Sequence, residues 1–293
     1  MIISILITSF VVLRILSNPL GNVFQKQLTT NGNHPLLVNF LTYLLLSLLC
    51  VLLYWALPPQ NFSFDFWFYA LLGGIVGATG NAFLVKALEK GELSVMGPIN
   101  AYKSVIGMLV AVLLLGEVPN FWGIFGVGVI ICGSYFVLDS KDEPFSWALL
   151  KNPAIQFRIW AMILTAIEAV FVKKVILASS TAYAFICWSV FGAFFSFLLL
   201  QFYSISIKHE CKKIASTDFS KYLLLVLCVG TMQFTTNYTF EYIPVGYALS
   251  LFQLSSIVSV LLGYRIFQER EIYRKLIGAV LMMIGTVMII LLK

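Results

Sequence analysis

The chain has 293 residues, of which 60% are hydrophobic and 11% charged, and its formal net charge is +6. Soluble proteins carry roughly 25% charged residues, so a soluble domain of this size could not cover so much apolar surface. The composition predicts an integral protein of the lipid bilayer. The surplus of positive charge then indicates cationic loops, and no nucleic-acid partner is expected.

Ten stretches are apolar enough and long enough for a transmembrane helix, which needs about 20 residues to cross the hydrocarbon core. Helices are expected because backbone groups in lipid must be satisfied within each segment. The first stretch lacks the basic start and the cleavage site of a signal peptide, and is interpreted as a span. In chain order the predicted spans are 2–20, 36–57, 66–88, 93–115, 119–138, 154–177, 181–206, 220–241, 245–266 and 274–292.

Basic residues collect in the odd-numbered connections between these spans. Lys212 and Lys213 lie in the seventh connection, and Arg274 and Lys275 in the ninth. The positive-inside rule then places the odd connections in the cytoplasm and both chain termini outside.

The fourth and fifth spans repeat in the ninth and tenth with an offset of 152 residues (269 minus 117). Four pairs share this register: Ser104 with Ser256, Glu117 with Glu269, Gly126 with Gly278, and Gly133 with Gly285. Five spans is an odd number, so a second copy enters the membrane in the opposite direction. We therefore expect an all-α fold of ten transmembrane helices, built as two inverted five-helix repeats at 1–140 and 153–293 with a linker at 141–152.

The repeats resemble a known family. In the first copy the resemblance is carried by Ala87-Leu88, Gly91, Ser94-Val95-Met96-Gly97-Pro98, Gly116-Glu117, Gly126 and Gly133. This pattern is similar to the EamA-like branch of the drug/metabolite transporter superfamily. The second copy is degenerate, with Gln268 in place of a glycine and Ser250 where the first copy has Pro98. The resemblance implies a ten-helix transporter with a central cavity, moving small metabolites such as amino acids, sugars or other organic ions.

Lys103 is a candidate substrate-binding residue because a charge at mid-span is costly and needs a reason. Asn100 and Gly107 share its helical face, and Pro98 one turn earlier should bend the helix. Lys103 could attract a carboxylate or phosphate of the substrate. Alternatively it is a structural lysine that pairs with Glu168 or reaches the membrane edge.

Uncharged polar and aromatic side chains at mid-span could line a cavity or join helices to each other. With Lys103 and Asn100, the candidate substrate-binding residues are Asn81, Tyr102, Trp188, Gln233, Tyr247 and Gln253. Glu168 is a candidate for proton coupling, because burial favours the protonated form of a carboxyl, although it could instead be the partner of a basic residue. Glu117 and Glu269 lie at turns, where a capping role is expected.

Catalytic motifs are missing from the sequence: there is no HExxH, no histidine within a predicted span and no nucleotide-binding loop. The scattered cysteines indicate neither a disulfide framework nor a metal site. We therefore expect no enzyme, no catalytic residue, no metal and no cofactor. The favoured function is a secondary transporter of a small solute, in the bacterial cytoplasmic membrane, as a monomer or homodimer. A non-catalytic membrane subunit or sensor is the alternative, followed by an intramembrane enzyme.

Overall fold

The computed structural model describes residues 2–103, 105–106, 120–138 and 151–291, and every regular element in these ranges is helical. The helices of the first half are α1 (Ile2–Thr30), α2 (Pro35–Trp55), α3 (Phe64–Lys90), α4 (Leu93–Met96) and, beyond a 3₁₀ turn at Pro98–Ala101, α5 (Phe121–Leu138). The all-helical prediction is confirmed for this part of the chain.

The second half is helical in the same way. Its helices are α6 (Pro153–Ala178), α7 (Thr181–Phe202), the short α8 (Ile207–Cys211), α9 (Asp218–Tyr242), α10 (Val245–Phe252), α11 (Leu254–Phe267) and α12 (Ile272–Leu291). Several of these helices are capped at their N-termini by a polar side chain. Asn152 accepts a hydrogen bond from a backbone N–H in the first turn of α6, and Ser180 does the same for α7, which satisfies donors that a helix start leaves free.

Seven of the described helices are long and apolar enough to cross a membrane, namely α1, α2, α3, α5, α7, α9 and α12. Large apolar side chains point outward from the bundle: Trp55, Phe64 and Phe202 are 80%, 80% and 81% exposed. Such a surface is stable against lipid and unstable against water. Helix α6 has 26 residues but is not among the seven. It carries Arg158 and Glu168 within its length, and such charged groups lower its apolar character.

Helix α1 is longer than predicted, since it continues to Thr30 where the sequence suggested an end near residue 20. The extension is polar, yet Asn22 and Gln25 are only 7% and 2% exposed. These side chains face neighbouring helices instead of water. Low hydropathy therefore did not mark the end of the helix.

The predicted spans 93–115 and 245–266 are both interrupted. Helix α4 ends at Met96, Gly97 follows, and Pro98 opens the 3₁₀ turn. Proline has no N–H to donate and its ring collides with the carbonyl four residues earlier, so it kinks or breaks an α-helix. Helix α1 continues through Pro19, whereas α4 ends before Pro98. The second interruption falls at Gln253, between α10 and α11. The bend predicted at Pro98 is thus a break in the α-helix, and the continuous helix predicted over 245–266 is wrong at Gln253.

Helices of the two halves pack against each other in a regular pattern: α3 with α6, α1 with α9, α2 with α7, α5 with α12, and α4 with α11. The α5–α12 crossing is made by glycines. A methyl group at Gly126 would lie 2.7 Å from the carbonyl oxygen of Gly285, and one at Gly133 would lie 2.8 Å from that of Gly278. Only glycine allows two backbones to approach so closely, which agrees with the packing role predicted for these residues.

Candidate functional site

An internal cavity of about 110 Å³ lies between helices of both halves. Helices α1, α2, α3, α6, α7, α9 and α10 contribute to its wall, together with the 3₁₀ turn that follows α4. Six of the predicted site residues line it, on five different segments: Asn81, Asn100, Lys103, Glu168, Trp188 and Gln233. The fold thus brings together side chains that are up to 152 positions apart (233 minus 81) in the sequence.

Two predicted site residues, Tyr102 and Gln253, lie outside the cavity lining. The Tyr102 hydroxyl donates to Ser134 Oγ at 2.8 Å, away from the cavity lining. Gln253 is also outside the lining, but its Nε2 donates to the Asn100 carbonyl oxygen at 3.1 Å. Gln253 therefore joins the two interrupted segments to each other. The side chain of Tyr247 lies outside the described part of the structure.

Arg14 also belongs to the cavity. It is a charged residue within the predicted span 2–20, but it is not among the predicted site residues. Its Nε donates to Thr236 Oγ1 at 2.9 Å, and its guanidinium carbon lies 4.6 Å from the centre of the Phe252 ring. The stacking on Phe252 is a cation–π contact, which stabilises a cation removed from water. Its Nη1 is buried and has no hydrogen-bond partner.

Arg158 is a second cationic lining residue that the sequence did not single out. It is only 3% exposed, and its Nε donates to the Met96 carbonyl oxygen at 2.6 Å. Met96 is the last residue of α4, so the break before Pro98 makes this carbonyl available. Arg158 lies four residues inside the predicted span 154–177, where a basic residue normally indicates a membrane edge. The interrupted helix explains why the guanidinium is buried instead.

Lys103 and Glu168 line the same cavity but make different contacts. Glu168 Oε1 accepts a hydrogen bond from Trp188 Nε1 at 2.6 Å. Lys103 has no hydrogen-bond or ion-pair partner within 4 Å among the described residues, and it interacts with Glu168 only at longer range. Gly77 faces the Glu168 carboxylate, and a side chain there would collide with it. The direct Lys103–Glu168 pair considered from the sequence is thus not formed here.

The amide side chains of the cavity wall line the cavity and also join helices to each other, which are the two roles considered from the sequence. Asn81 Nδ2 donates to Asn39 Oδ1 at 2.6 Å, and Asn39 Nδ2 donates to Ser196 Oγ at 2.8 Å. This chain of bonds joins α3, α2 and α7 at the edge of the cavity. Gln233 contacts the amide of Asn237 one turn along α9, at 2.9 Å.

A second polar cluster lies at one end of the interrupted α4. Glu269 accepts hydrogen bonds from the backbone N–H groups of Leu93 and Ser94, each at 2.8 Å, and from Lys26 Nζ at 2.8 Å. Lys26 also lies over the ring of Phe267 at 4.5 Å. The capping role expected for Glu269 is present, but the helix it caps is α4 and not the adjacent α12. Its counterpart Glu117 is outside the described residues.

These features define a class: a helical membrane protein with a polar, charged cavity beside interrupted helices, which is the arrangement found in membrane transporters. The chain belongs to the EamA-like transporter family, whose model matches residues 6–139 and 152–291. The resemblance noted in the sequence is confirmed. Members of this family are transporters of small solutes.

Two individual proteins show the extent of the likeness. Protein WALLS ARE THIN 1 of Arabidopsis thaliana is 35% identical over 91 residues, which cover 30% of this chain and 23% of that protein. The chain therefore matches less than a quarter of the length of this relative. A protein of known crystal structure superimposes over 97% of both chains with a TM-score of 0.66 and 15% identity. At this identity the likeness establishes the fold alone.

Proposed function

We propose that the protein is a secondary transporter that moves a small organic metabolite, such as an amino acid, a sugar or another organic ion, by alternating access. It has no enzymatic activity, and it works in the bacterial cytoplasmic membrane as a monomer or homodimer. Its units are two inverted repeats, 1–140 and 153–293, joined by the linker 141–152, with ten transmembrane helices in total.

The observation that carries the proposal is the cavity itself. Charged side chains far from water are expensive within a membrane and mark solute or ion pathways. Here four such groups from three segments surround one internal space: Arg14, Lys103, Arg158 and Glu168. Interrupted helices beside such a space are typical of transporter binding sites, because their free backbone groups can bind a solute.

The glycine crossing supports the inverted repeat. The sequence register relates Gly126 to Gly278 and Gly133 to Gly285. Exchanging the two copies therefore turns the contact Gly126–Gly285 into the contact Gly278–Gly133, and both contacts are present. A two-fold axis between antiparallel helices would produce this result. The pairing of α3 with α6 and of α1 with α9 follows the same exchange.

In an alternating-access mechanism, the Glu269 cluster would close the cavity toward one side of the membrane. It connects α1 through Lys26, the turn before α12 through Glu269, and the start of α4 through Leu93 and Ser94. Lys275 adds an ion pair with Glu92 at the same place. Opening this side requires these bonds to separate.

Glu168 is our candidate for proton coupling. A carboxyl that lines an internal cavity can gain or lose a proton when the cavity changes its access to water. Its hydrogen bond from Trp188 persists in either state, because a neutral carboxyl can also accept from an indole N–H.

Uptake into proteoliposomes tests the proposed function. The purified chain is reconstituted and offered labelled amino acids, sugars, organic acids and amines, with protein-free liposomes as the control. We expect saturable uptake of at least one class, and we expect an imposed pH gradient to change its rate. A folded, correctly reconstituted protein that moves none of them would contradict the proposal.

A further inference from the structure

The cavity contains more positive than negative groups. Arg14, Lys103 and Arg158 line it, and Glu168 is the carboxylate among its lining residues. Lys103 lies close enough to the other three to interact electrostatically with each of them. Within the membrane such charges are poorly screened, so the imbalance produces a strong positive potential in the cavity.

Part of the hydrogen-bonding capacity of the cationic groups is also unused. Arg14 Nη1 is buried without a partner, and the Lys103 ammonium has none among the described residues. Buried polar groups are normally paired, and the exceptions need an explanation. Elsewhere in the described structure, the partly buried Lys26 is paired with Glu269 and the buried Lys275 with Glu92.

Glu168 does not supply the missing partner. Its Oε1 is engaged by Trp188, its carboxylate lies against Gly77 of α3, and it interacts with Lys103 only at a distance beyond that of an ion pair. The missing negative charge must therefore come from outside the described residues.

We propose that the transported solute is a small organic anion whose carboxylate or phosphate binds between Lys103 and Arg14. This inference rests on the proposed transport function and specifies its substrate class. Arg158 adds positive charge while its bond to the Met96 carbonyl oxygen keeps it in place. Asn100 Oδ1, which is buried and unpaired, accepts from a hydroxyl or amino group on the same solute. Tyr43 and Trp188, whose rings are 4.7 Å apart, face its organic part.

Matched pairs of compounds test the charge requirement on the purified full chain. Lactate is compared with lactamide, and glycerol 3-phosphate with glycerol, so that each pair differs in its anionic group; ethanolamine represents a cation. Propionate, which lacks the hydroxyl of lactate, probes Asn100. Binding is measured by thermal shift and by isothermal titration calorimetry. We expect one acid of the two pairs to bind at least about tenfold more tightly than its neutral match, and the arm that binds identifies carboxylate or phosphate as the recognised group.

Variants locate the binding site. R14M and K103M should each weaken binding of the acid about tenfold or more, and K103R should restore it because the charge returns. K86M is the matched control, since Lys86 lies over the Phe157 and Tyr203 rings and does not line the cavity. If R14M fails to fold, K103M and K103R alone still decide the question.

Several results would overturn the inference: neither acid binds to the folded protein, a neutral compound or ethanolamine binds as well as the acids, or the variants keep full affinity. Failure of the proposed function looks different. If proteoliposomes accumulate a neutral solute or an amine, the transport function is correct and the anionic substrate class is wrong. If no solute crosses at all, the transport function itself is wrong.

Discussion

The cavity and the Glu269 cluster are two buried charged regions of the same molecule that are built in opposite ways. Around Glu269 both carboxylate oxygens accept hydrogen bonds, and the lysine that faces it stacks on an aromatic ring. Around the cavity, Arg14 Nη1 is buried without a partner, and Lys103 has no hydrogen bond or ion pair with another described residue. Paired charges stabilise one conformation of the protein, whereas unpaired charges remain available to form bonds with a ligand.

The largest stability effect is expected at the paired cluster. E269A removes one member of a buried ion pair and leaves Lys26 and two backbone N–H groups without an acceptor, so we expect a loss of about 3–5 kcal/mol. Thermal unfolding in detergent measures it. E210A is the control, because Glu210 pairs with the exposed Lys213 on the surface, where a pair contributes about 0–1 kcal/mol. Equal effects of the two variants would contradict the structural role of the cluster.

K103M should reduce transport without reducing stability. Removing an unpaired charge from the cavity should leave the unfolding temperature unchanged or higher, because no partner is abandoned. Uptake should fall about a hundredfold, equivalent to about 2.7 kcal/mol of lost stabilisation. Initial rates in proteoliposomes measure the loss, with K86M alongside. Poor expression or early unfolding of K103M would show instead that the lysine supports the fold.

G77A should disturb the cavity through packing. A methyl group at Gly77 would meet the Glu168 carboxylate, so the side chain or helix α6 must shift, at a cost of about 1–3 kcal/mol. G128A is a matched control, since nothing lies within 4 Å of a methyl group at Gly128. We expect only G77A to lower both the unfolding temperature and the uptake rate. A G77A variant that behaves like G128A would mean that the Glu168 position is not important.

E168Q should also leave stability nearly unchanged, because glutamine keeps an oxygen that can accept from Trp188. If Glu168 carries the coupled proton, the variant should exchange solute across equal concentrations but no longer respond to an imposed pH gradient. Counterflow and gradient-driven uptake, measured side by side, separate these two activities. A gradient response equal to that of the wild type would assign the coupling to another group.

The sequence was informative where burial in lipid and burial in protein require the same residues. Apolar stretches predicted the helices well, and mid-span polar groups such as Asn81 and Gln233 lie at the cavity. Hydropathy was misleading where a polar surface faces protein. The second half of α1 and Arg158 resemble loop or membrane-edge sequence, yet they are buried between helices.

The two helix interruptions show a second limit of prediction from the sequence. Pro98 is a visible cause of the first. The second copy has no proline there, and α10 ends before Gln253 while the hydroxyls of Ser255 and Ser256 donate to the carbonyl oxygens of Phe252 and Gln253. Such side-chain bonds compete with the helical backbone. Serines at these positions are compatible with an intact helix as well, so only the three-dimensional structure reveals the break.

The crossing of α5 and α12 has a mechanical consequence. At Gly126, Gly133, Gly278 and Gly285 backbone meets backbone, and side chains of the opposite helix fill the space beside these glycines: Ile130, Val137, Met282 and Ile289. Such interdigitated side chains resist rotation because rotamers must be repacked when the angle changes. The crossing is therefore a stiff joint, and a change in the angle between α5 and α12 would require its side chains to repack.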